Sequence, residues 1–249
     1  MANKTVILKI KRQDNPDSKP YWDEFEVPWR QGLNVISCIM DIAANPVTRD
    51  GRQTTPIVYD SSCLEEICGS CAMLINGRAR MACSALVDNL AQPITLEPFS
   101  KFPVVRDLRV DRSVLFENLK TVKAWVPVDG TYDLGSGPRQ SPEQQQVNYP
   151  LSKCISCCCC MEACPQFNES TGFVGAATIS QVRLFNNHPT GKELKSDRLA
   201  ALMGDGGIHE CGYAQNCVEV CPKEIPLTES ISNVAKDVMK KAILDFFRT

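Results

Sequence analysis

Between Cys154 and Pro165 the chain carries Cys154, Cys157, Cys158, Cys159, Cys160 and Cys164, the last followed directly by proline. One register of this run is C-x2-C-x2-C-x3-C-P, a spacing that wraps a four-iron cluster. In that register the thiols are Cys154, Cys157, Cys160 and Cys164. A second run, from Cys211 through Cys217 to Cys221 and Pro222, repeats the frame with Ala214 where a third cysteine would fall. In two-cluster ferredoxins the fourth cysteine of each run crosses to the other cluster. Cys221 is therefore expected to complete Cys154, Cys157 and Cys160 as a 4Fe-4S site, while Cys164 joins Cys211 and Cys217. Three thiolates leave the corner at Ala214 unheld, which predicts a 3Fe-4S cluster; a four-iron cluster with water on its fourth iron is the alternative.

Nearer the start, Cys63, Cys68 and Cys71 follow C-x4-C-x2-C, with Cys83 as a distant fourth. This is the plant-type two-iron spacing, in which a loop curls around the cluster with backbone amides directed at the sulfurs. Gly69 next to Ser70 permits that close approach. Structural zinc also takes cysteine at short spacing, but in paired C-x2-C units that neither pattern fits. Cys38 lies in an apolar helical pattern and Cys158 and Cys159 are out of frame, so these read as small buried hydrophobes. A ligand swap within 157–160 stays open. His188, before Pro189, reads as part of a helix-ending turn. His209, two residues before Cys211, could instead adjust a cluster or a proton path. Arg106, Arg109 and Arg112 read as a solvated face or a subunit contact. No Ser-His-Asp ordering, dinucleotide glycine loop or phosphate loop is present, so no residue of this chain is expected to be catalytic toward a substrate.

The elements that must position these thiols are partly legible. Residues 5–12 alternate as a half-buried strand, 21–29 can pair back on it, and Val35, Ile36, Ile39, Met40 and Ala43 recur at helical spacing. Ala72–Ile75 and Arg78–Ala82 form a hairpin turned by Asn76-Gly77, and 93–98 supplies a closing strand. Around Pro103 alternation gives way to helical periodicity, with Val114, Leu115, Asn118, Leu119 and Val122 on one amphipathic segment. Residues 130–146 are rich in turn formers and read as an exposed loop. Helical patterns follow at 178–187, 193–203 and 228–247, the last starting at Thr228 and Glu229. The fold class is α+β: a plant-type ferredoxin domain of β-grasp form over 1–104, then a helical, bacterial-ferredoxin-like domain over 105–249.

A net charge of −2 gives no polybasic surface for nucleic acid. Fourteen cysteines in a secreted scaffold would follow a signal core, whereas Met1-Ala2-Asn3-Lys4-Thr5 leads into strand alternation; a reducing compartment is the reading, where clustered thiols mean metal or catalysis. No stretch approaches the ~18 uninterrupted apolar residues of a membrane helix, so the protein reads as soluble or peripheral. Clusters of three types in one chain imply an electron relay joining two docking partners.

The order of these motifs resembles the iron-sulfur subunits of succinate dehydrogenases and fumarate reductases. The stretches that carry the resemblance are 62–71, Phe102-Pro103-Val104-Val105-Arg106-Asp107-Leu108, and Asn216-Cys217-Val218-Glu219-Val220-Cys221-Pro222-Lys223. The resemblance implies a partner flavoprotein with FAD that oxidises succinate to fumarate, and a membrane cytochrome b with haem. Electrons would pass through 2Fe-2S, 4Fe-4S and 3Fe-4S to a quinone, from a peripheral position on the cytoplasmic face of the membrane. Carried onto this sequence, the two-iron ligands are Cys63, Cys68, Cys71 and Cys83, the four-iron ligands Cys154, Cys157, Cys160 and Cys221, and the three-iron ligands Cys164, Cys211 and Cys217. Many members read Arg-Glu-Gly where this chain has Leu64-Glu65-Glu66. Ubiquinone-using members commonly place tryptophans and a histidine where this chain has Asn168, Glu169 and Gly212. The sequence is in this respect closer to members with a dihaem cytochrome b and menaquinone. Operation as a fumarate reductase, or service to another flavoprotein oxidoreductase, would use the same ligand frame.

Overall fold

The structure is a computed structural model describing residues 4–127 and 139–247. The chain divides into two units: Met1–Arg112 with Ile155–Glu162, and Ser113–Cys154 with Ala163–Thr249. The expected boundary after 104 falls inside a hairpin that lies wholly in the first unit, and the segment 155–162, expected in the second domain, groups with the first.

In the first unit a five-stranded mixed sheet has the order β2-β1-β5-β3-β4. Strands β1 (Thr5–Arg12) and β2 (Tyr21–Pro28) pair antiparallel, with Ile10 opposite Asp23. Strands β3 (Ala72–Ile75) and β4 (Arg78–Met81) form the hairpin at Asn76-Gly77, both residues with positive φ as a tight turn requires. β5 (Ile94–Glu97) lies between the two hairpins, parallel to β1 and antiparallel to β3. The inward phase of β1 buries Val6, Leu8 and Ile10, which meet Phe25, Val27, Ile75 and Leu96 and the buried face of helix α1 (Val35–Ala44).

That same inward phase carries Arg12 to full burial. A buried guanidinium must be paired. Arg12 Nε donates to Asp107 Oδ1 at 2.8 Å and Nη1 to Asp23 Oδ2 at 3.4 Å, and Asp23 also binds Arg52. Asp107 further accepts from the amides of Gln13 (3.2 Å) and Val58 (2.9 Å), fixing two segments, the end of β1 and the stretch at Val58, to one carboxylate. Asp107 lies in the turn of a third hairpin, β6 (Val104–Arg106) and β7 (Arg109–Val110). Helical structure therefore begins at α2 (Ser113–Thr121), after this hairpin and not at Pro103.

In the second unit α3 (Pro142–Ser152), α5 (Ala176–Asn187), α6 (Lys195–Ala201) and α8 (Leu227–Phe246) pack around α5 and α8, with short helices α4 (Cys159–Glu162, of the first unit) and α7 (Asn216–Glu219) at the cysteine runs. The expected loop over 130–146 falls outside the described residues at 130–138, and at 142–146 it is helix. Ser141 Oγ accepts from Gln144 N and Pro142 opens the first turn, a start signal that glutamine-rich composition obscured. The 193–203 pattern begins as a 3-10 turn at Gly191–Leu194, and α8 starts one residue early, at Leu227, without a side-chain cap. Arg198 is fully buried and donates to the carbonyls of Lys123 (2.9 Å), Trp125 (2.7 Å) and Gly191 (2.7 Å), binding two segments to α6 at once. His188 closes α5, its Nδ1 accepting from Thr190 N and Gly191 N. No described helix is long and apolar enough to cross a membrane.

Replacing Asp107 by alanine leaves Arg12 Nε and two amides without this acceptor, and only Asp23, shared with Arg52, to answer the buried charge. The expected loss is about 3–5 kcal/mol, read as a lower urea midpoint, whereas Glu117→Ala at the exposed Lys120 pair leaves the midpoint unmoved.

Candidate iron-sulfur centres

The loop 63–71 is built by residues that turn the wrong way for L-amino acids. Leu64, Glu66 and Gly69 all have positive φ (61°, 57° and 78°), and such alternation turns successive amides toward one concave side, an anion nest. Here the anions are sulfurs. Glu65, Ile67 and Cys68 each donate N–H to Cys63 Sγ at 3.3 Å, Cys63 and Ser70 to Cys68 Sγ at 3.5 Å, and Glu66 to Cys83 Sγ at 3.2 Å. Although burial pushes the Cys68 thiol up, the amides of Cys63 and Ser70 outweigh it and bring it down to about 6. Cys71, with fewer donors, is pushed up to about 12 by burial.

Cys83 is held from another direction. The first amides of α1 need acceptors outside the helix, and Val35 N and Ile36 N find them in the carbonyls of Ala85 and Ala82. The N-cap Asn34 accepts from Ser37 N at 2.9 Å and donates Nδ2 to Cys83 O at 2.9 Å. All four expected two-iron ligands thus meet in one unit, three on the nest and one tied to a helix start.

Arg112, expected on a solvated face or at a subunit contact, is a clamp on this loop. Its Nη1 donates to Gly69 O at 2.8 Å and its Nη2 to Ser70 O at 2.8 Å and Ala72 O at 3.1 Å. Arg109 pairs with Asp60 at 3.3 Å and Arg106 reaches Thr55.

The first part of the four-iron run packs in the same unit. A Cβ at Gly69 would fall 2.3 Å from Ile155 O and 3.2 Å from Cys157 Cβ, so the two loops touch where only glycine fits. Downstream, the buried carboxylate of Glu162 accepts from Ser100 N (3.0 Å), Ser100 Oγ (2.6 Å) and Lys101 N (3.2 Å). Ser156 and Cys158 have positive φ, repeating the turn device of the two-iron loop. Cys157 and Cys160 belong to this unit, Cys154 and Cys221 to the other.

The out-of-frame thiols are buried as expected. Cys159 donates its S–H to the Cys157 sulfur: the hydrogen bond, against burial, lowers Cys157 to about 7, and together with burial it raises Cys159 far above the usual thiol range. Cys158 Sγ lies 3.6 Å from Ser156 O. Cys38 is a core residue of α1, pushed up to about 12 by burial.

In the second unit Cys164, Cys211 and Cys217 line one cavity together with Ala214, Phe173, Ala176 and Ile231. Tyr213 and Gln215 have positive φ, and Asn216 Nδ2 ties this loop to Ala163 O at 3.0 Å. Burial raises Cys211 and, to about 11, Cys217, with the Cys164 charge adding to both. His209 is exposed, pairs with Glu210 at 3.1 Å and is not among the cavity's lining residues. Among the described residues no group of three or more His, Cys, Asp or Glu side chains is placed to hold a single metal ion.

Gly69→Ala tests the contact between the two loops. Gly51, also at positive φ (85°) but with open space around it, serves as control. Gly51→Ala is expected to cost about 1–2 kcal/mol and to keep the visible absorption of the purified protein; Gly69→Ala is expected to lose two-iron absorption as well.

The comparisons agree with this geometry. A family model described as the 2Fe-2S iron-sulfur cluster binding domain matches residues 7–117, and one described as the 4Fe-4S dicluster domain matches 150–225. The chain is 56% identical over 244 residues to a succinate dehydrogenase iron-sulfur subunit of Bacillus subtilis, covering 98% of this chain and 96% of the relative. It is 28% identical to a fumarate reductase iron-sulfur subunit of Haemophilus influenzae, covering 100% and 99%. A chain of the structure titled Mycobacterium smegmatis Sdh1 complex in the apo form superposes with a TM-score of 0.77 at 24% identity, covering 96% of this chain and 98% of that one, a likeness of fold. With two-iron and four-iron domains in this order and a relative of this similarity over nearly its whole length, the chain belongs to the family of iron-sulfur subunits of succinate dehydrogenases and fumarate reductases.

Proposed function

We propose that this chain is the electron-transfer subunit of a membrane-associated succinate:quinone oxidoreductase, passing single electrons between a FAD-containing flavoprotein subunit and a quinone at a membrane cytochrome b that carries haem. The observation that carries the reading is the contact of Gly69 with Ile155 and Cys157, which sets the two-iron loop against the four-iron run. When bound, the clusters supply one-electron carriage; the chain supplies their spacing, their insulation from water and the donors that set their potentials.

The ligand sets follow the frame. Cys63, Cys68, Cys71 and Cys83 hold the 2Fe-2S centre, Cys154, Cys157, Cys160 and Cys221 the 4Fe-4S centre, and Cys164, Cys211 and Cys217 the 3Fe-4S centre. Ala214 in the cavity of the last three supports the three-iron reading, because its methyl group cannot ligate a fourth iron. Menaquinone is the favoured quinone. Gly212 presents no side chain, and a Cβ there would meet Gln166 Nε2 at 2.8 Å. Asn168 is committed to an Asx turn with Ser170 and Thr171. Neither position offers the ring donors of ubiquinone-using members. The subunit sits peripherally on the cytoplasmic face, and the same wire serves succinate oxidation or fumarate reduction according to the potentials of its partners.

Iron and sulfide analysis with electron paramagnetic resonance on the anaerobically purified complex tests the sets. Ala214→Cys is expected to add one iron per chain and abolish the three-iron signal of the oxidised sample; an unchanged signal would remove the assignment of that corner. The double variant Cys158→Ala, Cys159→Ala is expected to retain the four-iron spectrum, and its loss would place a ligand out of frame.

A further inference from the structure

Arg112 has more donors than the loop it clamps can use. Its three described hydrogen bonds all end on neutral carbonyl oxygens and its guanidinium lies 5.7 Å from the Phe99 ring centroid, so among the described ion pairs no carboxylate compensates its charge. Its Nε–H is buried and has no acceptor in the protein. Buried donors are as a rule satisfied, so this one points to an acceptor that the polypeptide does not itself provide. Gly69, whose carbonyl the guanidinium holds at 2.8 Å, abuts Ile155 and Cys157 of the four-iron run. The contact of Gly69 with Cys157 sets the clamped loop against that same run. One guanidinium therefore serves both loops.

We propose that Arg112 is a positioning residue that sets the reduction potential of the centre held in part by Cys157, through its uncompensated charge and a buried Nε–H reserved for a cluster sulfur. The proposal rests on the ligand sets given above. Reduction of that centre adds one electron, received from the neighbouring two-iron centre, and changes no bond or proton at Arg112. The added negative charge is stabilised by a fixed cation in a medium of low dielectric. Without the cation the potential falls.

The experiment is a potentiometric titration of the assembled complex, followed by electron paramagnetic resonance, for the native protein, Arg112→Gln and Arg112→Lys. Arg112→Gln removes the charge; Arg112→Lys keeps it and loses the planar fork. With the iron content unchanged, Arg112→Gln is expected to lower the one-electron reduction constant of the four-iron centre at least tenfold, about 59 mV. Arg112→Lys is expected to hold that constant within about threefold of native while altering the two-iron line shape, since only the clamp is weakened. Unchanged four-iron potential in a cluster-complete Arg112→Gln overturns the proposal, as does an equal fall in both variants, which would assign the effect to the clamp alone. If Arg112→Gln does not assemble, Arg112→Lys decides: a native four-iron potential supports the charge, and a lowered potential or a failure to retain either centre overturns it. Absence of a four-iron signal in the native complex would instead remove the ligand assignment, an outcome distinct from either.

Discussion

Sulfur anions in a protein interior need donors, and the nearest donors are backbone amides that ordinary secondary structure has already committed. The cysteine loops meet this constraint by breaking backbone convention. Among the described residues, six non-glycine positions with positive φ lie inside the three loops: Leu64, Glu66, Ser156, Cys158, Tyr213 and Gln215. Each costs about 1–2 kcal/mol in isolation, and a fold retains such residues only where its surroundings over-determine them. The return is local: amides face Cys63, Cys68 and Cys83 in the first loop, Cys157 in the second, and Cys211 in the third. Everything else in each unit serves to hold these turns in place.

The holding is done by polar groups whose sequence context gave no hint of it. Arg12, Arg112 and Arg198 each bind segments far apart in the chain, the first through carboxylates and the other two through carbonyls. A planar fork with five donors can meet spread-out acceptors in fixed directions at once, whereas a lysine offers three donors on a single nitrogen. Glu162 is the acidic counterpart, a buried carboxylate answered by two amides and a hydroxyl. It anchors the end of the inserted segment, while Gly69 admits its beginning. A segment fixed at both ends keeps its thiols at set distances from the two-iron loop, which is what rapid transfer of electrons without chemistry requires.

Much of this was legible in the residues alone, for a physical reason. Ligand spacing is a covalent fact, and strand alternation in β1 and β2 or the Asn76-Gly77 turn follows from local sterics, so each can be read within a short window. The hairpin β6–β7 could not be read that way, because its turn residue Asp107 is fixed by Arg12 and by the amides of Gln13 and Val58. The start of α3 was legible in principle from Ser141-Pro142-Glu143 but was outweighed by the polar composition around it. Arginine is ordinarily a surface residue, so only the folded chain shows which carbonyls Arg112 and Arg198 reach. Left-handed turns at Leu64 or Tyr213 carry no sequence signal, since neither residue prefers that conformation.

The run of adjacent cysteines shows how the fold resolves an ambiguity that composition leaves. Cys157 through Cys160 are identical in chemistry, and spacing alone selects Cys157 and Cys160. Local physics then separates the first from its neighbours. Cys157 receives the S–H of Cys159, and this bond, more than the charge of Arg112, favours its thiolate; Cys159 is the donor of that bond, and burial adds to its tendency to keep its proton. A thiol that must remain protonated to donate is a poor metal ligand, because ligation takes the thiolate. Cys159 is therefore better understood as a hydrogen-bond donor to a ligand than as a competitor for its place, and a hydrophobic residue of the same size would fill the space without supplying the bond.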